Sequence, residues 1–175
     1  MDPPDPPAQP RRRKPSPPPD PRYHPALIDA HILDRSIGAA NVAAVERILE
    51  LTRSTQLMVL LPCSVKHELD RPETPADVRR RATDLIYSLK LDLTPGEARL
   101  HREARAILQG NAKPGKHAMD AFHLVEAAKW GSFFVTLDGR IIKKAAEIRA
   151  VLPGLWIVNP VELLAIFDQH GATGA

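Results

Sequence analysis

Between Tyr23 and about position 170, short continuous apolar runs alternate with longer stretches in which apolar residues recur every three or four positions. The first kind predicts strands buried on both faces, the second helices with one apolar side. Ala26–Asp29, Leu57–Leu61, Phe133–Thr136 and Leu155–Val158 are runs of the first kind, and Leu57–Leu61, stopping at Pro62, reads as a central strand. Asn41 opens a helix carrying Val42, Val45, Ile48 and Leu49, and a short helix through Glu68 follows the second strand. Thr74-Pro75-Ala76-Asp77 supplies a cap, a first-turn proline and an acid, opening a helix with Val78, Ala82, Leu85 and Leu89. Thr94-Pro95-Gly96-Glu97 is a capping box heading a helix to about Leu108, and Gln109–Gly115 is a loop. His117–Trp130 is a helix that Gly131 ends, Arg140–Ala150 is another, and Asn159-Pro160 opens the last. The order β-α-β-α-α-(β)-α-α-β-α-β-α predicts an α/β/α sandwich around a central, mostly parallel sheet.

Composition separates an N-terminal arm from this body. Residues 1–22 hold ten of the eighteen prolines and almost no apolar side chain, which predicts a disordered segment of polyproline-II character. The arm carries Arg11, Arg12, Arg13, Lys14 and Arg22 against three acids, so +2 of the chain's net +3 belongs to it. The body, residues 23–170 with a tail at 171–175, is therefore not a strongly basic platform, and contact with a polyanion has to come from local patches. The Arg11–Lys14 run is a candidate for phosphate contact or for a proline-motif ligand, and equally reads as a solvated tail. The one cysteine, Cys63, excludes an intrachain disulfide and a cysteine-rich zinc cluster, and reads as a small buried hydrophobe in a reducing, cytoplasmic setting. No apolar run is long enough to cross a bilayer, and the N-terminus lacks the apolar stretch of a secretory signal.

Four acids stand at element junctions among apolar neighbours: Asp29, Glu68, Asp120 and Asp138. In a doubly wound parallel sheet, ligands bind beyond the carboxyl ends of the strands. Asp29 and Asp138 follow strands, Glu68 lies a few residues past one, and Asp120 falls in the first turn of its helix, so the four can converge. Gathered carboxylates repel one another unless a hard cation lies between them, and oxygen ligands favour Mg²⁺ or Mn²⁺. Each acid also has an ordinary reading. Asp29 and Asp138 can cap the helices that follow them, and Glu68 alone is a solvated helix residue.

The segments Leu27-Ile28-Asp29-Ala30, Ser64-Val65-Lys66-His67-Glu68-Leu69, Asp120-Ala121-Phe122-His123-Leu124 and Val135-Thr136-Leu137-Asp138 resemble those of the PIN-domain nucleases. The resemblance covers roughly residues 25–168 and comes nearest to the small bacterial endoribonuclease toxins of the virulence-associated protein C type. It implies a PIN-like fold and a metal-dependent ribonuclease in which water activated by Mg²⁺ or Mn²⁺ cleaves RNA, leaving a 5′-phosphate and a 3′-hydroxyl. On that resemblance Asp29, Asp120 and Asp138 are metal ligands, Glu68 is a ligand directly or through water, and Thr136 hydrogen-bonds behind them. It also implies a homodimer and a cognate antitoxin protein of a toxin–antitoxin pair. The chain departs from the family pattern at His31, where a small polar residue or Asn is usual, and at Leu137, where Asn or Ser is usual.

Lys113, Lys116, Arg140, Lys143 and Lys144 lie in the loop before Asp120 and the helix after Asp138, where they form a candidate RNA-binding rim or an ordinary solvated face. His117 and His123 point about 120° apart on one helix, which keeps them from closing on a single zinc ion. His31 and Leu137 motivate a second reading, a binding module of the same fold with impaired catalysis; a housekeeping ribonuclease is a third. A phosphotransfer fold fits less well. A haloacid-dehalogenase-like phosphatase wants a second acid where His31 stands, and a receiver domain wants an acceptor Asp where the Leu57–Leu61 strand ends in Pro62-Cys63.

Overall fold

The computed structural model describes residues 16–111 and 115–173. Its centre is one sheet of five parallel strands: β1 (Ala26–Ile28), β2 (Val59–Leu61), β3 (Ile86–Tyr87), β4 (Phe133–Val135) and β5 (Trp156–Val158). The spatial order is β3-β2-β1-β4-β5. The chain thus steps outward from β1 to β3, crosses back to lay β4 against the free side of β1, and ends at β5. The register pairs Ile28 with Val135, so the residues following β1 and β4 emerge side by side. This is the reversal point of the sheet, where α/β folds place their ligand crevice.

Alternation along the strands feeds two cores. Ala26 and Ile28 of β1, with Phe133 and Val135 of β4, face the helices α1 (Ala39–Arg53), α3 (Ala76–Ala82) and α8 (Pro160–Thr173). Leu27 and Phe134 face the opposite layer: α4 (Pro95–Gln109), α5 (Ala118–Trp130), α6 (Gly139–Lys143) and α7 (Ala145–Val151). A short α2 (Lys66–Leu69) follows a 3-10 turn at Cys63–Val65. The three-layer α/β arrangement expected from the hydrophobic pattern is present, and all strand pairs are parallel.

Several local expectations shift. α1 starts at Ala39 behind Gly38, whose φ of 87° suits glycine; Asn41 sits inside the helix and donates to the Ile37 carbonyl. α3 stops at Ala82 rather than running to Leu89, because Leu85 turns into the core while the next residues leave to form β3. The Arg140–Ala150 helix is broken at Lys144 into α6 and α7. Gly131 closes α5 as expected, but at φ −148°, an extended conformation. Its glycine is required for another reason: a Cβ there would lie 2.5 Å from the Pro25 carbonyl oxygen.

α8 continues through residues 171–173, three positions past the expected end of the body at 170. Residues 16–22, assigned to the disordered arm, are held on the body. Arg22 donates to the Phe167 carbonyl at 3.0 Å, lies over the Phe167 ring and pairs with Asp20. His170 Nε2 stands 3.2 Å from the Pro18 carbonyl oxygen. The Arg11–Lys14 run lies outside the described residues. Among those that are described, no helix is long and apolar enough to cross a membrane.

Candidate active site

β1 ends at Ile28, and Asp29 turns the chain into a 3-10 turn at Ala30–Leu33. Its Oδ1 accepts the His31 backbone N–H at 3.1 Å, so the capping role is real. Its other oxygen does something that capping does not need. Asp29 Oδ2 accepts the Thr136 hydroxyl at 2.8 Å, from the residue that follows β4. Thr136 is fully buried, and its Oγ1 also accepts the Asp138 backbone N–H at 3.0 Å. One threonine therefore fixes both acids at the reversal point. Asp138 caps α6 in the same manner, with Oδ1 accepting the Arg140 N–H at 2.8 Å.

Asp120 enters from the first turn of α5, where its carboxylate is favourably placed at the positive end of the helix. His117, only 3% exposed, stands with Nδ1 3.0 Å from Asp120 Oδ2. Arg140 Nη1 lies against the same imidazole, in contact with both of its ring nitrogens. Arg140 completes the link: Nη2 lies 2.9 Å from Asp138 Oδ2, and Nη1 lies 3.9 Å from Asp120 Oδ2. A continuous polar chain thus runs from α5 through Arg140 to Asp138, Thr136 and Asp29.

Glu68 belongs to a neighbouring pair. Its Oε1 lies 3.9 Å from Nε2 of His123, a buried nitrogen with no hydrogen-bond partner among the described residues, on the turn of α5 after Asp120. The two histidines thus serve different acids, His117 as the residue capping α5 and His123 from within it. Of the four acids, Asp29, Asp138 and Asp120 are joined in one network, and Glu68 stands beside it.

The candidate rim divides. Lys116 and Lys143 are exposed, Lys144 pairs with Glu147, and Arg140 is turned onto the carboxylates. Lys113 lies outside the described residues. Of the two departures from the family pattern, His31 is exposed and contributes its backbone N–H to Asp29, while Leu137 packs partly against the core.

Two residues that support the site carry no sequence signal of their own. Glu126 on α5 is completely buried, and it accepts from the Ser88 hydroxyl at 2.6 Å, the Cys63 backbone N–H at 2.5 Å and the Ser64 hydroxyl. It clamps the segments leaving β2 and β3 to α5, and so sets where α2 and Glu68 begin. Cys63, expected as a buried hydrophobe, is partly exposed within this clamp. Arg81 of α3 is 8% exposed; it donates to the Leu33 carbonyl and pairs with Glu46 of α1, holding the turn that carries Asp29. An acid and an arginine inside amphipathic helices look like surface charge until the tertiary structure buries them.

The donor chemistry around Asp29, Asp120 and Asp138 is all oxygen and fits a hard divalent cation. In this arrangement, among the described residues, no three Asp, Glu, His or Cys side chains converge closely enough to hold one ion, and Arg140 stands between Asp120 and Asp138. Compared with protein-family models, with curated proteins and with solved structures, the chain matches none.

Proposed function

We propose that the protein is a metal-dependent endoribonuclease of PIN-domain type. The observation that carries this is the Asp29–Thr136–Asp138 constellation at the reversal point of a parallel sheet, with Asp120 reached through Arg140. A Mg²⁺ or Mn²⁺ ion bound there supplies a water of lowered pKa and neutralises charge growing on the phosphate. Asp29, Asp138 and Asp120 would hold it, with Glu68 directly or through water. The protein's own residues do the positioning. Thr136 orients Asp29, the α6 turn orients Asp138, and His117 orients Asp120. Lys116 and Lys143, exposed and outside the carboxylate network, are available for RNA phosphates.

The test is cleavage of labelled RNA by the purified full chain. Activity with Mg²⁺ or Mn²⁺, little with Ca²⁺ and loss in EDTA are expected, since Ca²⁺ takes more ligands at longer distances. Asp29→Asn and Asp120→Asn should each abolish turnover in folded protein. Undiminished cleavage after thorough chelation, or in both variants, rejects the proposal. A toxin role with a small antitoxin and a homodimer rests on the sequence resemblance. Growth arrest on expression, relieved by a small neighbouring gene product, tests it.

One observation favours a second reading, an RNA- or protein-binding module of the same fold: Arg140 already neutralises two of the acids. RNA binding without cleavage at any divalent cation tested would select it.

A further inference from the structure

Arg140 was expected on a cationic rim, free to meet phosphate, and the structure turns it inward. Its guanidinium spans two segments, reaching Asp138 at the cap of α6, and Asp120 and His117 at the start of α5. An arginine fork is the side chain best shaped to serve carboxylates as a cation would. Asp138 meets it on one oxygen while its other oxygen caps α6 through the Arg140 N–H. Both contacts come from the same residue, so backbone and side chain of Arg140 together occupy both oxygens of Asp138. The His117 ring, almost wholly buried, forms one wall against the guanidinium. The opposite side is open, with the Arg140 side chain 43% exposed, which leaves it a path out.

We propose that Arg140 is the site's built-in counter-cation. It holds Asp120 and Asp138 in the metal-free protein, competes with a divalent ion for them, and leaves into solvent when the ion binds. This rests on the reading of the acids as a cation site. It makes Arg140 a residue that sets metal affinity. The site would fill only at raised Mg²⁺ or Mn²⁺, or when RNA phosphate offers the displaced guanidinium a new partner. Attraction and competition can be separated, because a neighbouring lysine at the far end of the same short helix, Lys144, pairs with Glu147 and not with the site.

The experiment measures Mn²⁺ binding to the full chain by titration calorimetry and by loss of the free-ion electron-spin-resonance signal. Wild type, Arg140→Gln, Arg140→Lys, Lys144→Gln and Asp120→Asn are compared without RNA. Charge-assisted hydrogen bonds of this kind imply that Arg140→Gln tightens Mn²⁺ by roughly tenfold. Arg140→Lys should fall between it and wild type, and Lys144→Gln should stay near wild type. Without metal, Arg140→Gln should melt below wild type, and saturating Mn²⁺ should raise its melting temperature more. Equal or weaker Mn²⁺ binding in Arg140→Gln, with affinity still lost in Asp120→Asn, overturns the counter-cation and leaves the cation site standing. An equal gain in Lys144→Gln overturns it too, since general charge would then suffice. Absence of Mn²⁺ binding in every variant overturns both this inference and the nuclease reading.

Discussion

Thr136 and Asp29 are 107 positions apart, yet the Thr136 hydroxyl donates to Asp29 Oδ2 across 2.8 Å. The contact exists because β4 lies in register beside β1, with Ile28 opposite Val135, so the next residue of each strand meets at the sheet's carboxyl edge. The Thr136 hydroxyl oxygen in turn accepts the Asp138 N–H. Thr136→Val keeps the shape and removes both partners. It should cost about 1–2 kcal/mol of stability, from a partly buried N–H and carboxylate oxygen left without that partner. RNA cleavage should fall further than stability does. Denaturant melts and turnover at a temperature where both proteins stay folded separate the effects; unchanged turnover would remove Thr136 from the site.

Glu126 predicts a structural loss that spreads to Glu68. Glu126→Ala strips the acceptor from Cys63, Ser64 and Ser88 at once. A destabilisation on the order of 3 kcal/mol is expected, because buried donors without partners are costly. Hydrogen exchange should quicken in residues 63–69 before it does in β1 or β4. Uniform quickening across the sheet would show that Glu126 is not a local clamp.

The α4 capping box gives a pH dependence. The Lys129 ammonium, with the Thr94 N–H and hydroxyl, holds the Glu97 carboxyl well below its ordinary 4.5, at about 2. A carboxylate whose pKa is lower in the folded state stabilises fully above its unfolded value and loses that effect as pH falls through the folded one. The contribution is therefore present above pH 4.5 and lost between there and about 2. Glu97→Gln should flatten the acid limb of a plot of melting temperature against pH within that window. A parallel curve at lower temperature would mean that the carboxylate's charge is not involved.

Gly131 lets β4 begin beside the chain entering β1. Ser132 donates to the Pro25 carbonyl at 2.9 Å, and an alanine Cβ at Gly131 would press on that same oxygen. Gly131→Ala should cost about 1–3 kcal/mol, the range for overpacking against a backbone that cannot move freely. Thermal denaturation checks it; a neutral result would mean that the 23–26 segment can yield.

A truncation removing residues 1–22 would take away Arg22 and its hold on Phe167, whereas a cut before Ser16 leaves that contact intact. The arm's composition is proline-rich up to Pro21, so nothing local marks the point where packing begins. The Arg22–Phe167 contact spans 145 positions and is set by where α8 lies.

The sequence by itself determined the elements that depend on near neighbours. The capping box at Thr94–Glu97 is formed as the spacing predicts, and the apolar runs became strands, β1 and β4 buried on both faces. The two sets of strand residues alternate between two cores because successive side chains point to opposite faces. It also placed Asp29, Asp120 and Asp138 at element junctions, since acids beside the starts of helices are local features. Only the tertiary structure decided the strand order, because the crossover that sets β4 against β1 is a choice between distant segments. That choice joins Asp29 to Thr136. It likewise decided which charges are buried. Arg140 reads as a rim cation, and nothing local marks Arg81 or Glu126, yet each faces a partner from another element. Local spacing cannot report this, because desolvation and pairing of a charge depend on what the rest of the chain brings to it.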